Sequence, residues 1–312
     1  IEACREAWHV HDLLRSWGNE VVLVDTTRSR RLGIGQHGRK TDRIDAEVLA
    51  LALERGAIPM AHVLSPHRRE LRRWLGVRRA LVESRANLIP TCRGLAREQG
   101  IVLPQCAVPN LAKKARRAAG VALPVLEPLL KQLDAINPEL AAADAKLAAL
   151  CDMEPVVKLL MTAPGVGPII AACFVSVIDD AKRFRSPHHV ESYVGLVPSE
   201  DSSGGKRRLG AISKKGNPYL RTLLVEGAWG ILRHRDPTEP LRVWAAAVAE
   251  RRSRQIAVTA LARRLVGVLW AMWRDSKPYD PKLLAAASSR GTRQLAHSLQ
   301  AQARTLEVHA QP

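Results

Sequence analysis

A chain of 312 residues with 46% hydrophobic content has room for roughly two ordinary domains and enough apolar material for a core. Its 48 Lys and Arg against 30 Asp and Glu give a formal charge of +18, which favours polyanionic partners, nucleic acid first. No uninterrupted apolar run approaches the ~18 residues that cross a bilayer. The basic residues recur over the whole chain instead of forming one membrane anchor. The five cysteines are far apart and form no Cys-x-x-Cys pair, which argues against a zinc or disulfide framework.

In chain order, apolar spacing predicts a helix from Ile1 to Trp17, stopped at Gly18-Asn19, with Glu2 at its start. The text opens in mid-element, and the chain is expected to be an N-terminally incomplete piece. Glu20–Asp25 reads as a short strand, followed by a basic loop from Thr26 to Arg43 and a helix from Asp42 through Leu53. That alternation suggests an α/β layer. Asp42 and Asp45 are three apart, so both can point the same way. Closely placed carboxylates suit Mg²⁺ in phosphodiester chemistry, and acids at a helix start are equally favoured by the macrodipole.

Residues 66–100 read as a cationic helix in which Arg72 and Arg79 are candidates for phosphate contact, a solvated face being the other reading. Residues 101–125 read as a linker with a short basic segment, Lys113–Arg117. From Leu126 to Leu150 apolar residues keep a 3-4 spacing, as in a coiled-coil seam, and Pro138 is expected to kink or restart that helix. A long helical hairpin that also supports dimerisation fits the pattern. Pro164-Gly165-Val166-Gly167-Pro168 between helical runs looks like a helix-hairpin-helix, whose turn and following helix N-terminus would offer N–H groups to a phosphate; a plain helix–helix turn is the alternative. Further helices are expected at Pro218–Leu232, Leu241–Glu250 and Arg254–Trp273, with Trp270 and Trp273 in the core, and a frayed tail after Pro281.

The densest chemistry lies in Pro198–Asn217. Ser202 and Ser203 stand against Gly204-Gly205, followed by Lys206, Arg207 and Arg208, then by Lys214 and Lys215. Glycine admits close backbone approach, cations hold an anion, and a serine beside captured phosphate is a candidate nucleophile. A polar loop with solvated charges is the competing reading.

Together these residues resemble the insertion-sequence-110 family of DEDD transposases, related to the Piv/MooV invertases. Lys40–Ala46 matches its paired-aspartate motif. Pro164–Pro168, Gly195–Pro198, Ser203–Lys206 and Ser213–Arg221 match its C-terminal domain in order, and Ala260–Leu265 and Pro278–Pro281 match its end. The resemblance implies an α/β plus mainly α fold. A partial RNase H/RuvC-like N-terminal layer spans 1–65, a basic coiled-coil-like helical region 66–152, and a helical transposase domain with the helix-hairpin-helix 153–285. A flexible tail, 286–312, follows. It implies that Glu2, Asp42 and Asp45 are three of four Mg²⁺-binding acids, the first aspartate being expected upstream of Ile1. It also implies that Ser203 attacks DNA, with Ser202 as the adjacent alternative, and that Lys206, Arg207 and Arg208 hold the strand. The expected setting is the bacterial cytoplasm at the nucleoid, with DNA, a structured guide RNA, a homo-oligomer and no membrane. A truncated, inactive nucleic-acid-binding remnant is the alternative.

Overall fold

The computed structural model describes residues 1–29, 32, 41–200, 208–233 and 236–282, which divide into two units, Ile1–Ser65 and Pro66–Pro312. In the first unit three extended segments meet around Val24, which bridges Glu2 in parallel and Met60 in antiparallel fashion. The backbone bonds are Ala3 N to Val24 O at 3.1 Å, Val24 N to Ile1 O at 2.8 Å and Ala61 N to Leu23 O at 2.7 Å. Leu23 and Val24 are both 2% exposed, as expected for an apolar segment flanked on both edges. Three helices accompany them: α1 (Ala7–Ser16), α2 (Thr26–Ser29) and α3 (Asp42–Glu54). The first helix therefore starts six residues later than its apolar spacing predicts. Residues at its expected start are held extended by Val24, a partner that local periodicity does not reveal, so Glu2 lies on an extended segment and not at a helix start.

The second unit opens with a helical hairpin of α4 (Pro66–Glu98) and α6 (Leu123–Asp152), with α5 (Leu111–Ala118) in the connection. The pairing is antiparallel: Arg78 Nε donates to Asp144 Oδ1 at 2.5 Å, and Arg85 Nη1 to Asn137 Oδ1 at 3.4 Å. Near the connection Cys92 and Ala96 pack with Leu126, Leu130 and Leu133. Helix α6 continues through Pro128 and Pro138 without a restart. Both prolines are on the exposed face, while Leu133, Leu140, Ala143 and Leu147 are buried. The lost backbone bonds thus face water, and the buried seam holds the helix together. The segment read as a linker contains α5, which buries Leu111, Ala112 and Ala115.

The remaining helices are α7 (Pro155–Leu160), α8 (Pro168–Ile178), α9 (Pro187–Val194), α10 (Pro218–Leu232), α11 (Pro240–Arg251) and α12 (Arg254–Asp275). A two-stranded antiparallel hairpin, β1 (Pro198–Glu200) and β2 (Leu209–Ile212), stands between α9 and α10. Every residue of α8 from Ala171 to Ile178 is buried, marking it as the central helix. The hydroxyl of its buried Ser176 donates to Cys173 O at 2.9 Å. Burial pushes the Cys173 thiol up to about 12. Helix α12 is long and apolar enough to cross a membrane by composition alone, and here it lines the same core through Leu261, Leu265, Leu269 and Trp270. Trp270 is 2% exposed and Trp273 packs against the core, as the sequence predicts, and the Trp270 indole N–H donates to Ala181 O at 2.9 Å.

Candidate functional site

The hairpin that leads into the Ser-Gly-Gly stretch is fixed at its roots. Gly195 ends α9 at φ +79° and Gly216 precedes α10 at φ +77°. A Cβ on Gly195 would overlap the Lys215 backbone, and one on Gly216 would overlap the Tyr193 carbonyl. Only glycine combines that φ with such an approach. Arg221, one turn into α10, closes the crossing. Its Nη1 donates to Val194 O at 3.1 Å and to Lys215 O at 2.7 Å, and burial lowers its pKa. Backbone bonds from Lys214 N to Gly195 O at 3.1 Å and from Ser213 N to Val197 O at 2.8 Å extend the joint into the strands. Asn217 caps α10 by accepting from Leu220 N at 3.1 Å, with Pro218 at the first helical position. Sequence reasoning quoted Arg221 within a motif and gave it no role; its place one turn after an Asn-Pro cap was the available signal.

Ser202, Ser203, Lys206 and Arg207 lie outside the described residues. Arg208, Lys214 and Lys215 are exposed around the hairpin, Lys214 at φ +54°. The joint thus gathers two motifs that are separate in the sequence, Gly195–Pro198 and Ser213–Arg221, at the base of the segment that carries both serines.

The Pro-Gly-Val-Gly turn joins α7 to α8. Gly165, at φ +71°, is seated on α10: a Cβ there would overlap the Gly227 carbonyl and press on Ile231. The close approach that Gly165 permits is therefore to a helix of the same chain. Gly167 has open space around it and precedes the α8 N-terminus, where backbone N–H groups lack intrahelical acceptors.

Of the two candidate arginines on α4, Arg72 is exposed. Arg79 pairs with Glu83 at 2.7 Å and lies over the Tyr219 ring, 5.1 Å from its centroid. The arginines of this helix also find acidic partners on other elements. Arg78 meets Asp144, and Arg68 meets Glu154 at 2.5 Å, with His67 on the same carboxylate at 2.6 Å.

In the first unit Asp42 and Asp45 occupy the first turn of α3, which Thr41 caps by accepting from Ile44 N at 3.3 Å. Asp42 is exposed; Asp45 is half-buried, with its Oδ1 shut off from solvent. Two carboxylates on one turn suit a hard divalent cation, which is commonly held by one or two such groups together with substrate phosphate. Glu2 is half-buried on its extended segment. Among the described residues no three His, Cys, Asp or Glu side chains are grouped closely enough to hold a metal, so Glu2 does not join the aspartate pair.

Comparison with known proteins agrees with this layout. A model for the transposase IS116/IS110/IS902 family matches residues 157–242, and a DEDD transposase model of the IS110 type matches residues 1–98. A "Probable family 20 transposase" of Pseudomonas aeruginosa is 30% identical over 299 residues, covering 90% of this chain and 85% of its own length. The "Transposase for insertion sequence element IS1111A" of Coxiella burnetii is 28% identical, covering 89% of this chain and 78% of its own. The "Transposase for insertion sequence element IS1328" of Yersinia enterocolitica is 25% identical, covering 87% and 82%. The N-terminal match takes in both aspartates and the second match takes in the whole joint from Gly195 to Arg221, and with similarity running through most of both chains, this protein belongs to the IS110 family of insertion-sequence transposases.

Proposed function

We propose that this chain is a site-specific DNA recombinase in which the Ser203 hydroxyl oxygen attacks a DNA phosphorus. The serine–phosphate bond forms as the bond to the departing sugar oxygen breaks; the serine proton leaves, and the departing oxygen takes one up. The phosphoserine conserves bond energy, so a sugar hydroxyl of another strand rejoins by the reverse step. Lys206, Arg207 and Arg208 hold the strand, and Lys214, Lys215 and the Gly167 turn add backbone contacts that position DNA without reading its sequence. Asp42 and Asp45 would hold Mg²⁺, with Glu2 as the third acid of this reading. When bound, Mg²⁺ neutralises charge on the scissile phosphate. The RNase H-like layer is assigned to the first unit and the helix-hairpin-helix to α7 and α8. A homo-oligomer and a structured guide RNA, the latter along Arg72 and Arg79, belong to the same reading.

One observation carries it: the crossing of Gly195 and Gly216, locked by Arg221, is a rigid base for the segment that contains Ser203. A rigid base is what a nucleophile needs if it is to meet phosphorus in a fixed geometry. The test is strand exchange between paired DNA sites, with covalent protein–DNA adducts resolved on a denaturing gel. Ser203→Ala is expected to lower both by at least ~10³-fold, as loss of a nucleophile does, while Ser202→Ala keeps most of them. Undiminished exchange by Ser203→Ala overturns the serine route.

A chain that binds nucleic acid without cutting it is the second reading. It is favoured by the separation of Glu2 from the aspartate pair among the described residues. It predicts tight binding with no adduct from the unsubstituted protein.

A further inference from the structure

The far end of the helical hairpin carries a cationic face that none of the proposed chemistry uses. No acid occurs between Gln99 and Leu126, and Lys113, Lys114, Arg116 and Arg117 fall in that stretch. Helix α5 buries Leu111, Ala112 and Ala115 against α4 and α6. That burial fixes its rotation. Lys113, Lys114 and Arg117 then share the opposite, exposed face, because residues one and four apart lie within about 100° on a helix. Arg116 lies at the edge of that face and turns to α6: its Nε donates to Glu127 Oε2 at 3.0 Å and its Nη1 to Asp134 Oδ2 at 2.6 Å. One cation of the four thus clamps α5 to α6 and occupies the two nearest carboxylates. Among the described residues, Lys113, Lys114 and Arg117 are in no ion pair.

We propose that the outer face of α5 is a second DNA contact, in which Lys113, Lys114 and Arg117 bind successive phosphates of a duplex backbone. A membrane surface fits less well. Interfacial helices insert an apolar face, and that of α5 is already buried in the hairpin. A protein partner would need an acidic surface of matching shape, whereas a DNA-acting protein of charge +18 meets phosphodiesters as its regular polyanion. The contact is independent of which residue cuts DNA, so its test is read as binding, in a Ser203→Ala background.

The triple variant Lys113→Gln, Lys114→Gln, Arg117→Gln is compared with the parent by titration onto duplex DNA, a structured RNA hairpin and vesicles of anionic lipid, over a range of salt. A control, Lys158→Gln, Lys277→Gln, Lys282→Gln, makes the same change in net charge elsewhere. Expected are an unchanged unfolding temperature and an affinity for duplex DNA about tenfold weaker. The salt slope should flatten by about 2, since each phosphate contact contributes about 0.7–0.9. Flattening confined to the RNA hairpin overturns the proposal in favour of an RNA contact. Unchanged affinity and slope on duplex DNA, an equal loss in the control, or a loss confined to vesicles likewise overturns it. Should the triple variant unfold, single Lys114→Gln and Arg117→Gln variants carry the same test with slope changes of about 1 or less each.

Discussion

Arg221 and the glycines beneath it show how a side chain with no chemistry of its own can decide where chemistry happens. The guanidinium donates to two carbonyls twenty-one residues apart in number, Val194 and Lys215, which no side-chain pattern would reveal. The sequence displays the two motifs as ordered blocks; their contact arises only because Gly195 and Gly216 let two backbones touch. The same reason hid the role of Gly165, whose neighbour Gly227 belongs to a different helix. Gly195→Ala is therefore expected to destabilise the fold by at least ~2–3 kcal/mol in chemical denaturation, from left-handed strain plus overlap with Lys215. Gly167→Ala, at φ −91° with open space around it, should stay within ~0.5 kcal/mol of the parent. Equal effects at the two positions would mean that the crossing is not tight.

At the scale of elements, helical periodicity made α3, α4, α10, α11 and α12 legible to within a few residues, because their buried stripes repeat locally. It failed where the deciding partner was distant, as with Glu2 held by Val24. It also failed where prolines at 104, 109 and 124 masked a short helix, as with α5. Helix α6 is the informative exception. Pro138 removes a backbone donor and yet leaves the helix unbroken, because seam residues on the opposite face stay buried against α4. The helix persists against a local penalty, so Pro138→Ala should raise stability by about 1–3 kcal/mol, proline being that much poorer than alanine in a helix interior. Thermal and denaturant unfolding read this directly, and a neutral or harmful effect would show that the proline relieves some other strain.

Across the molecule, Tyr279 ties the late segment of the second unit to α11 and to the turn after α7. The Tyr279 hydroxyl donates to Glu239, the cap of α11, whose carboxylate also accepts from Leu241 N at 3.2 Å. The Tyr279 backbone N–H donates to Thr162 in the turn after α7 at 3.0 Å. Burial, and then the Glu239 carboxylate, raise the phenol above its ordinary value of 10. The sign follows. A raised folded pKa means that the contribution is whole below about pH 10 and fades as pH rises, when the unfolded chain ionises and the folded one resists. Tyr279→Phe should cost about 1 kcal/mol at neutral pH, a modest figure because the group is partly exposed to solvent. The gap between variant and parent should narrow above pH 10 in denaturation curves. A pH-independent gap would place the cost in packing instead.

The crossing at Gly195 and Gly216 also fixes the borders of the segment that joins the two strands. Within those borders the roles proposed for Ser203, Lys206 and Arg207 limit what can change. One residue inserted between Gly195 and Pro198 would shift the frame of both strands at once. Relatives with different targets would then be expected to keep those borders.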